Sequence, residues 1–416
     1  MKTRIRSIVE IFKGVIKMNK KSILAILLVV CFVFGVMTVA KAANVLTVDV
    51  NGGTGVYTTI QAAVNAAKSG DTIIVMPGHY AGAYIARKHV SIVGSGKDTI
   101  VDTKLDPTAI RTMLSPDVTQ EVYLLLGGVP LDFGPAYFVN DQIAFIIDCQ
   151  SLFDVVAALD SNGNPVFDSN GNPVLVSYKV DNGADGTSIS NLVINMNGWT
   201  FTDIEQGGAI PFGVYVAGAK NCIIKELELR NLADTAIGIG VDGSNCEVTH
   251  NLITGFFHDT NIPDWWAPFS LGIAINEHTD LLPTQNLVAF NEIKGLPGDT
   301  GQSLIGIQLY ITDKNKIVHN KIAINNANEV GFSPQDAINL GGDFDPETGV
   351  FIGATNNYVG FNDLRGSTYP VIIDWGNGQT GNVVARNLGQ TANRRMTKSS
   401  IPASKFSPRL RWLRGR

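Results

Sequence analysis

The sequence predicts an all-β fold, a right-handed parallel β-helix with an N-terminal capping helix and a β-rich lateral insertion. Three observations support this prediction. The phrase Asn-x-Ile/Val-x-x-Asn-x-Ile/Leu begins at Asn286, Asn315 and Asn357. Between such phrases lies a short alternation of apolar and other residues, which has the period of a strand. The 43 glycines and the 8% of aromatic residues are typical of turn-rich β structure.

The repeated phrase indicates coils that stack on one another. Weaker copies begin at Gly186, Asn221, Cys246 and Asn382. A unit with only short strands cannot bury an apolar face alone, so it stacks, with like residues about 4.8 Å apart in successive coils. We expect Ile and Val to fill the interior and the second Asn of each phrase to take the left-handed bend at a corner. These expected corner residues are Asn191, Asn251, Asn291, Asn320, Asn362 and Asn387, with Glu226 in one coil.

Residues 57–67 predict a helix that caps the first coil. The apolar residues that share one helical face there are Ile60, Ala63, Val64 and Ala67. Ser69-Gly70 ends this segment, and strands are predicted within DTIIVMPG, HVSIVG and DTIV. An open end of the solenoid would expose unpaired strand edges, and the helix covers one such end.

This opening stretch, VYTTIQAAVNAAKSGDTIIVMPGHY and then VSIVGSGKDTIV, resembles the start of right-handed parallel β-helix proteins of the pectin-lyase-like superfamily. Pectin-methylesterase-like and periplasmic β-helix repeat proteins belong to it. The resemblance covers residues 44–103 and 186–390 and implies the fold. The superfamily contains lyases, hydrolases, esterases, adhesins and non-enzymes, so the resemblance implies no single activity. No esterase or polygalacturonase motif is found, and no catalytic residue is carried over.

The N-terminal segment has the features of a secretory signal. Lys17, Lys20 and Lys21 precede an apolar run, Ile23–Ala40, and Ala40–Ala42 offers a cleavage site with small residues. The alternative is a retained anchor, because 18 apolar residues almost span a bilayer. We expect cleavage, and therefore a secreted, periplasmic or cell-surface protein without an integral membrane segment.

The charge distribution divides the chain into an acidic body and basic ends. The first 42 residues carry +7 and the last 26 carry +8, so the formal charge of −5 leaves −20 for residues 43–390. Such a body repels polyanions such as nucleic acid or pectate unless a metal bridges them. The predicted divisions are a signal peptide (1–42), the cap and first coils (43–103), a β-rich insertion (104–185), β-helix repeats (186–390) and a disordered basic tail (391–416).

Two smaller features of the sequence leave alternatives open. The insertion contains DSNGNPVF at Asp160 and DSNGNPVL at Asp168, and Asn-Gly between apolar runs favours hairpin turns over a calcium loop. Outside the signal, the cysteines are Cys149, Cys222 and Cys246. An odd count argues against a disulfide framework, although a bridge between Cys222 and Cys246 is conceivable despite their apparently different offsets within the repeat.

Long segments between repeats contain the candidate binding residues. Aromatic rings beside carboxylates and amides suit a sugar, whose CH groups pack on rings while its hydroxyls take hydrogen bonds. The candidates are Trp199, His258, Trp265, Trp266 and Gln308. We therefore predict a polysaccharide partner. The alternative role for the tryptophans is to pin long loops to the solenoid.

Carboxylates in the same segments raise the question of catalysis. Two of them could act as the acid and base of a glycosidase, and the candidates are Asp259, Asp264, Asp336 and Asp374. The predicted outward column of the repeat strands is Tyr215, Gly240, Ala274, Gln308, Asn339 and Asp374. It holds a single carboxylate, which argues against a catalytic face. The predicted function is thus polysaccharide interaction, with a hydrolase or lyase and a structural adhesin module as alternatives.

Metal chemistry has one candidate. Asp343, Asp345 and Glu347 alternate in a turn, as calcium ligands can, although a solvated acidic turn is the alternative. No other cofactor is predicted, because the histidines show no paired metal spacing. His250 and His319 each precede a corner Asn and are assigned a structural role.

Overall fold

The computed structural model consists mainly of stacked parallel strands. It describes residues 43–86, 88–105, 143–148, 154–157, 175–178, 183–196, 212–232, 235–240, 243–256, 270–276, 282–295, 304–324, 336–344, 351–367, 369–373, 380–389 and 394–395. All of these except Ala43 belong to one compact unit, Asn44–Arg416. In these ranges, no helix has both the length and the apolar character needed to cross a membrane.

Face A is a ten-stranded parallel sheet. With strands numbered in chain order, it contains β1 (Val45–Val48), β2 (Thr72–Val75), β4 (Ser91–Gly94), β9 (Ser188–Ser190), β12 (Ile223–Lys225), β15 (Glu247–Thr249), β18 (Leu287–Ala289), β21 (Lys316–Val318), β25 (Tyr358–Gly360) and β27 (Val383–Ala385). From β9 onward, each strand has three residues, because the chain turns a corner at both of its ends.

Faces B and C are the two arms of a sixteen-stranded sheet. Face B contains β5 (Thr99–Leu105), β10 (Val193–Asn195), β13 (Glu228–Leu232), β16 (Leu252–Phe256), β19 (Glu292–Lys294) and β22 (Lys321–Ala323). Face C contains β6 (Ile143–Asp148), β11 (Phe212–Ala217), β14 (Thr235–Gly240), β17 (Ser270–Asn276), β20 (Leu304–Tyr310), β23 (Asp336–Phe344), β26 (Tyr369–Ile373) and β28 (Arg394–Arg395). Strand β3 (Gly78–Ala86) joins the arms, since it pairs with both β5 and β6.

Successive coils pass through faces C, A and B in that order, as β20, β21 and β22 do before the chain returns to face C. Parallel strands joined by crossovers are right-handed in almost all proteins. The predicted right-handed parallel β-helix is confirmed. The short alternations recognised in the sequence are the strands of face C from β11 to β26.

A few strands lie outside the regular coils. Strands β7 (Asp154–Ala157) and β8 (Leu175–Tyr178) form a separate antiparallel pair in the range predicted as insertion. Within that same range, however, β6 lies in face C between β3 and β11. Strand β24 (Phe351–Gly353) pairs antiparallel with β23, and β28 lies in the predicted basic tail. The predicted signal peptide and the two Asn-Gly turns lie outside the described residues.

Helix α1, Ile60–Ala66, has the predicted apolar face, which is buried against β1, β2 and β3. It begins where the Thr59 hydroxyl accepts a hydrogen bond from the backbone N of Ala62, at 3.1 Å. It ends where the Lys88 ammonium donates to three backbone carbonyls, at 2.9–3.2 Å. Burial lowers the pKa of Lys88, although the nearby Asp71 carboxylate opposes this shift.

The interior is filled by columns of aliphatic side chains, one inward residue from each strand. The column of face A contains Ile224, Val248, Val288, Ile317 and Val359. The column of face B contains Ile194, Leu229, Ile253, Ile293 and Ile322. All of these side chains are fully buried, and each contributes roughly 1.5–3 kcal/mol by leaving water.

Two ladders of asparagines run along the corners of face A, and all of their members are buried except the last ones, Asn382 and Asn387, which are partly buried. The first ladder contains Asn286, Asn315, Asn357 and Asn382, and the second contains Asn251, Asn291, Asn320, Asn362 and Asn387. In each step, one side-chain oxygen accepts two hydrogen bonds from the preceding asparagine. Asn320 Oδ1, for example, accepts from the backbone N of Asn291 at 3.0 Å and from its Nδ2 at 2.9 Å. The predicted column of stacked asparagines is confirmed.

The left-handed bend, however, falls one residue earlier than predicted. In the coils of the second ladder it is taken by His250, Phe290, His319, Phe361 and Arg386, with φ between 58° and 60°. The side chain of the asparagine that follows points inward instead. There, its Oδ1 accepts a hydrogen bond from the buried backbone N–H of the neighbouring coil. Strand register also places Asn191 and Glu226 at the bend, so Leu192 and Leu227 occupy the ladder position in their coils.

Cys222 and Cys246 lie at equivalent positions of neighbouring coils. The residues that directly follow them, Ile223 and Glu247, are register partners. The different offset inferred from the sequence is wrong. Both thiols are free and fully buried, and they continue the line of the first ladder. A hydrogen bond to Cys246, together with burial, raises the pKa of the Cys222 thiol well above its usual value. This thiol is therefore protonated at neutral pH.

An ion pair on the outside of the last coils has two well-formed hydrogen bonds. The Arg365 guanidinium donates from Nε and Nη2 to the two carboxylate oxygens of Asp363, each at 2.8 Å. This forked contact favours the ionised carboxylate and lowers the pKa of Asp363 to about 2.

Replacing Asn320 with Ala should destabilise the fold by about 3–5 kcal/mol. The change removes the acceptor for Asn291 and the donors to Val288 and Asn362, and it leaves buried polar groups without partners. Denaturant unfolding measures the effect. The neighbouring Lys321→Ala, an exposed change, should cost less than about 1 kcal/mol. Equal losses in the two variants would contradict the ladder's role.

Removing the forked contact should raise the pKa of Asp363. In the folded protein this pKa is about 2, below the ordinary 3.8, so the pair stabilises the fold above pH 4 and its contribution disappears as the pH falls through 2. Carboxyl-carbon NMR titration should show a higher pKa in Arg365→Gln and an intermediate one in Arg365→Lys, which keeps the charge but loses the fork. An unchanged titration in Arg365→Gln would refute this assignment.

Candidate functional site

Few of the predicted site residues can be placed. Gln308 and Asp336 have described side chains, and both lie in face C. Asp343 lies on β23 with its backbone paired to Ile352. The predicted residues outside the described side chains are Trp199, His258, Asp259, Asp264, Trp265, Trp266, Asp345, Glu347 and Asp374.

The outer side of face C is marked by a second apolar cluster. Leu271, Ala274 and Ile305 are buried together, apart from the main core. Register pairs place Leu271 and Ile305 in a first outer column and Ala274 in a second. The first column is Phe212, Thr235, Leu271, Ile305 and Asp336. The second is Tyr84, Ile146, Tyr215, Gly238, Ala274, Gln308, Asn339 and Ile372.

The predicted outward column is therefore wrong at two of its members. Gly238 and Ile372 stand where Gly240 and Asp374 were expected. Both errors are shifts of two residues. A shift of two keeps the same side chains on the outer side of a strand, so the apolar pattern alone cannot detect it.

Gln308 and Asp336 both lie beside Asn339 at a polar end of this face. Asp336 is fully buried, and its Oδ2 accepts a hydrogen bond from Asn339 Nδ2 at 3.0 Å. Asn339 is the register partner of Gln308, whose side chain is partly exposed. An amide facing solvent beside a buried amide–carboxylate pair can donate and accept hydrogen bonds to a hydroxylated ligand.

Aromatic rings lie close against glycines on the other part of face C. The rings of Phe212 and Tyr215 are 4.9 Å apart between centroids and tilted by 42°. Both cover Gly238, where an added Cβ would lie 3.0 Å from each ring. Tyr310 covers Gly341 in the same way, with 3.0 Å to its ring. Glycine is needed at these positions so that the rings can lie against the sheet.

The ends of the long segments converge on face C. The described chain stops at Met196, Phe256, Gly295 and Ile324, which occupy equivalent places after the strands of face B. It resumes at the start of β11, β17, β20 and β23, on face C. The segments that contain Trp199, Trp265 and Trp266 are thus connected to the chain at the edge of this face.

A surface that the sequence analysis missed lies at the corner between faces A and B. We name it the ring stripe, and its residues are His250, Phe290, His319, Phe361 and Arg386. The rings stack in chain order with centroid distances of 5.1, 5.1 and 5.4 Å, and the Arg386 guanidinium lies 5.3 Å from the Phe361 centroid. The signal in the sequence was the residue before each ladder asparagine, which was assigned to structure alone.

Charges beside the ring stripe are unevenly compensated. Glu292 lies between Lys294 and Lys321, at 3.0 Å from each ammonium, and these hydrogen bonds lower its pKa. Lys316 and Arg386 form no ion pair with any residue that the structure describes. The end of the ring stripe near Lys316 and Arg386 thus has a local positive charge, whereas Glu226 lies one coil before His250 at the other end.

A metal site is not formed by the described side chains. Within the ranges given above, no group of three His, Cys, Asp or Glu side chains is arranged to hold an ion. The side chains of the predicted calcium ligands Asp343, Asp345 and Glu347 are not among those that the structure describes, so calcium binding by them stays a prediction.

No protein-family model matches the chain, and no curated protein matches it. Among solved structures, pectate lyase Pel9A is 12% identical with a TM-score of 0.42, over 85% of this chain and 74% of that one. DFA-IIIase from Arthrobacter chlorophenolicus A6, in complex with DFA-III, is 13% identical with a TM-score of 0.41, over 82% and 66%. An alginate lyase from Paenibacillus sp. is 12% identical with a TM-score of 0.36, over 81% and 94%.

Identities this low do not transfer an activity or a site residue. The fold assignment rests on the strand pairing itself, in which stacked parallel strands form faces A, B and C. The chain is a parallel β-helix.

Proposed function

We propose that this protein binds polysaccharide on face C. One observation carries the proposal: the outer side of this face combines aromatic rings with a partly exposed amide. Phe212 and Tyr215 supply the rings, and Gln308 supplies the amide next to Asn339 and Asp336. Sugars need both elements, because their CH faces pack on rings and their hydroxyls need directed hydrogen-bond partners.

The dimensions of face C support an extended ligand. Its strands have five to nine residues from β11 to β26, whereas those of face A have three in the same coils. The outer columns run across successive coils, which suits a chain of sugar units better than a single one. The segments that carry Trp199, His258, Trp265 and Trp266 join this face, and we assign them to the same binding surface from the sequence alone.

An exported location is part of the proposal. The apolar run Ile23–Ala40, preceded by lysines and followed by small residues, supports secretion, a periplasmic location or display on the cell surface. A polysaccharide partner is found in each of these places.

Catalysis on the bound chain is the second candidate function. Asp336 favours it, since it is a fully buried carboxylate in an outer column of face C, and buried carboxylates are common in active sites. Hydrolysis needs a second carboxylate, for which Asp259, Asp264 and Asp374 remain the candidates. We rank binding first, because the described part of face C supplies contacts for a sugar but only one carboxylate side chain.

Replacing Tyr215 and Gln308 together with Ala should weaken binding to the preferred neutral glycan at least about tenfold, since a ring contact and a hydrogen bond are lost. A glycan array identifies the ligand, and titration calorimetry measures its affinity. Gln285→Ala, an exposed glutamine at the corner between faces C and A, is the matched control and should bind like the wild type. Trp265→Ala plus Trp266→Ala extends the measurement to the attached segment.

Wild-type binding that survives all of these substitutions would place the site elsewhere. An absence of binding to any glycan of the array would favour the structural adhesin alternative. Thermal unfolding of each variant separates lost binding from lost fold.

The isosteric Asp336→Asn tests catalysis. Under the binding proposal, the wild type should release no more reducing ends from a glycan panel than Asp336→Asn does. If Asp336 is instead a catalytic acid or base, the wild type should release them and the variant should be slower by about 10²–10⁴-fold with similar affinity. That second result would replace the binding proposal with the hydrolase or lyase.

A further inference from the structure

The ring stripe has an arrangement that the fold does not require. Its residues occupy the left-handed position before each asparagine of the second ladder. In the two earlier coils, Asn191 and Glu226 take the same left-handed conformation without a ring. The left-handed region costs a bulky residue about 1–2 kcal/mol more than glycine. Rings at this position therefore need a compensating contribution.

Stacking of the rings on one another supplies a stabilising contribution, but it does not explain why their edges are exposed to solvent. The rings are nearly parallel, with interplanar angles of 5° to 17°, so their faces meet each other. Their edges point outward, and Phe290 and Phe361 are 53% and 41% exposed. A stack with a purely structural role gains nothing from this exposure, because apolar area left in water costs about 25 cal/mol per Å².

The exposed edges favour an anion. An aromatic ring carries a negative face and a positive edge, so the stripe presents positive edges to solvent. The imidazoles of His250 and His319 add N–H donors to the same line. Arg386 lies at one end of the ring stripe, over the Phe361 ring. Lys316, on β21, lies beside His319 and Phe361. All of these groups attract negative charge.

A shallow hollow lies next to the stripe. Its volume is about 370 Å³, and it is lined by Lys316, Val318, His319, Tyr358 and Phe361. The Tyr358 ring lies over Gly360, where an added Cβ would be 2.7 Å from its hydroxyl oxygen. The hollow therefore combines an apolar floor, a phenol and a cation, within the range of volumes that hold small ligand groups.

We propose that the ring stripe and this hollow form a second binding surface, separate from face C, for a polyanionic glycan that runs along the solenoid axis. The stripe contributes one side chain per coil, so its attractive groups repeat along a line, as the charges of a linear polymer do. The hollow accepts one sugar ring, and Lys316 and Arg386 meet its carboxylate or sulfate groups. The proposal does not depend on the site on face C.

A membrane surface fits this geometry less well. The stripe is narrow, and face B lies directly beside it with the carboxylates of Glu228, Glu292 and Asp363. A planar anionic surface would contact these carboxylates together with the stripe. A single polymer chain can follow the stripe without touching them.

The test uses one polymer backbone with three charge states: dextran, carboxymethyl-dextran and dextran sulfate. At low salt, the full chain should bind both charged polymers at least about tenfold more tightly than dextran, and added salt should weaken the binding. Lys316→Gln plus Arg386→Gln should reduce the affinity for the charged polymers about tenfold or more. The comparison of carboxylate and sulfate shows which anion is preferred.

Lys68→Gln plus Lys97→Gln is the matched control, because it removes the same charge from exposed positions in the first coils, several coils away from the ring stripe. This control should keep its affinity within about twofold. Equal losses in the two double variants would overturn the proposal, since net charge alone would then explain binding. Tighter binding to phosphatidylglycerol vesicles than to the charged polymers would also overturn it.

Failure of this surface and failure of face C can be distinguished. The Tyr215→Ala plus Gln308→Ala variant should keep its affinity for the charged polymers, and the Lys316→Gln plus Arg386→Gln variant should keep its affinity for the neutral glycan. Loss of polyanion binding in the face C variant would show that the stripe is not a separate surface. Unchanged melting temperatures exclude unfolding as the cause in both variants.

Discussion

The corners of this solenoid depend on one requirement, that each buried backbone N–H finds an acceptor. After the left-handed residue, the next amide faces the interior, where water does not reach it. The asparagine of the following coil supplies the acceptor, as Asn320 does for Asn291 and Asn362 does for Asn320. Each asparagine also needs the next one for its own amide, so the ladder holds neighbouring coils in a single register. The columns of Ile and Val in faces A and B follow from that register.

Because the interior and the corners are committed to packing, functional variation is left to outward side chains and to the segments between faces B and C. Face C is the broadest of the three surfaces, and its outer columns carry glycines where rings approach the sheet closely. Gly238 beneath Phe212 and Tyr215 and Gly341 beneath Tyr310 show this use of small residues. The architecture thus supplies a surface whose chemistry can change without disturbing the ladders.

Local patterns predicted the repeating coils, the alternation of face C and the apolar side of helix α1, since each depends on residues close in sequence. The corner was misassigned because asparagine itself favours the left-handed region, so intrinsic preference pointed to Asn291 rather than Phe290. Burial of the ladder decided otherwise. The ring stripe was missed because its neighbours are 25 to 42 residues apart, at spacings set by segments of unequal length. Most of the candidate loop residues remain predictions from the sequence.

The two corners of face A show that the ladder does not select rings. At the first ladder, the left-handed positions hold Gln285, Lys314, Asn356 and Gly381, none of which has a ring. At the second ladder, the same backbone requirement is met by rings in four successive coils and then by Arg386. Stacked pairs contribute about 0.5–1.5 kcal/mol each, which offsets the backbone strain without any need for solvent exposure. Burial beneath a loop would stabilise the same rings further. Their open edges, with unpaired cations beside them in the described chain, are therefore better explained by a ligand than by the stability of the coil.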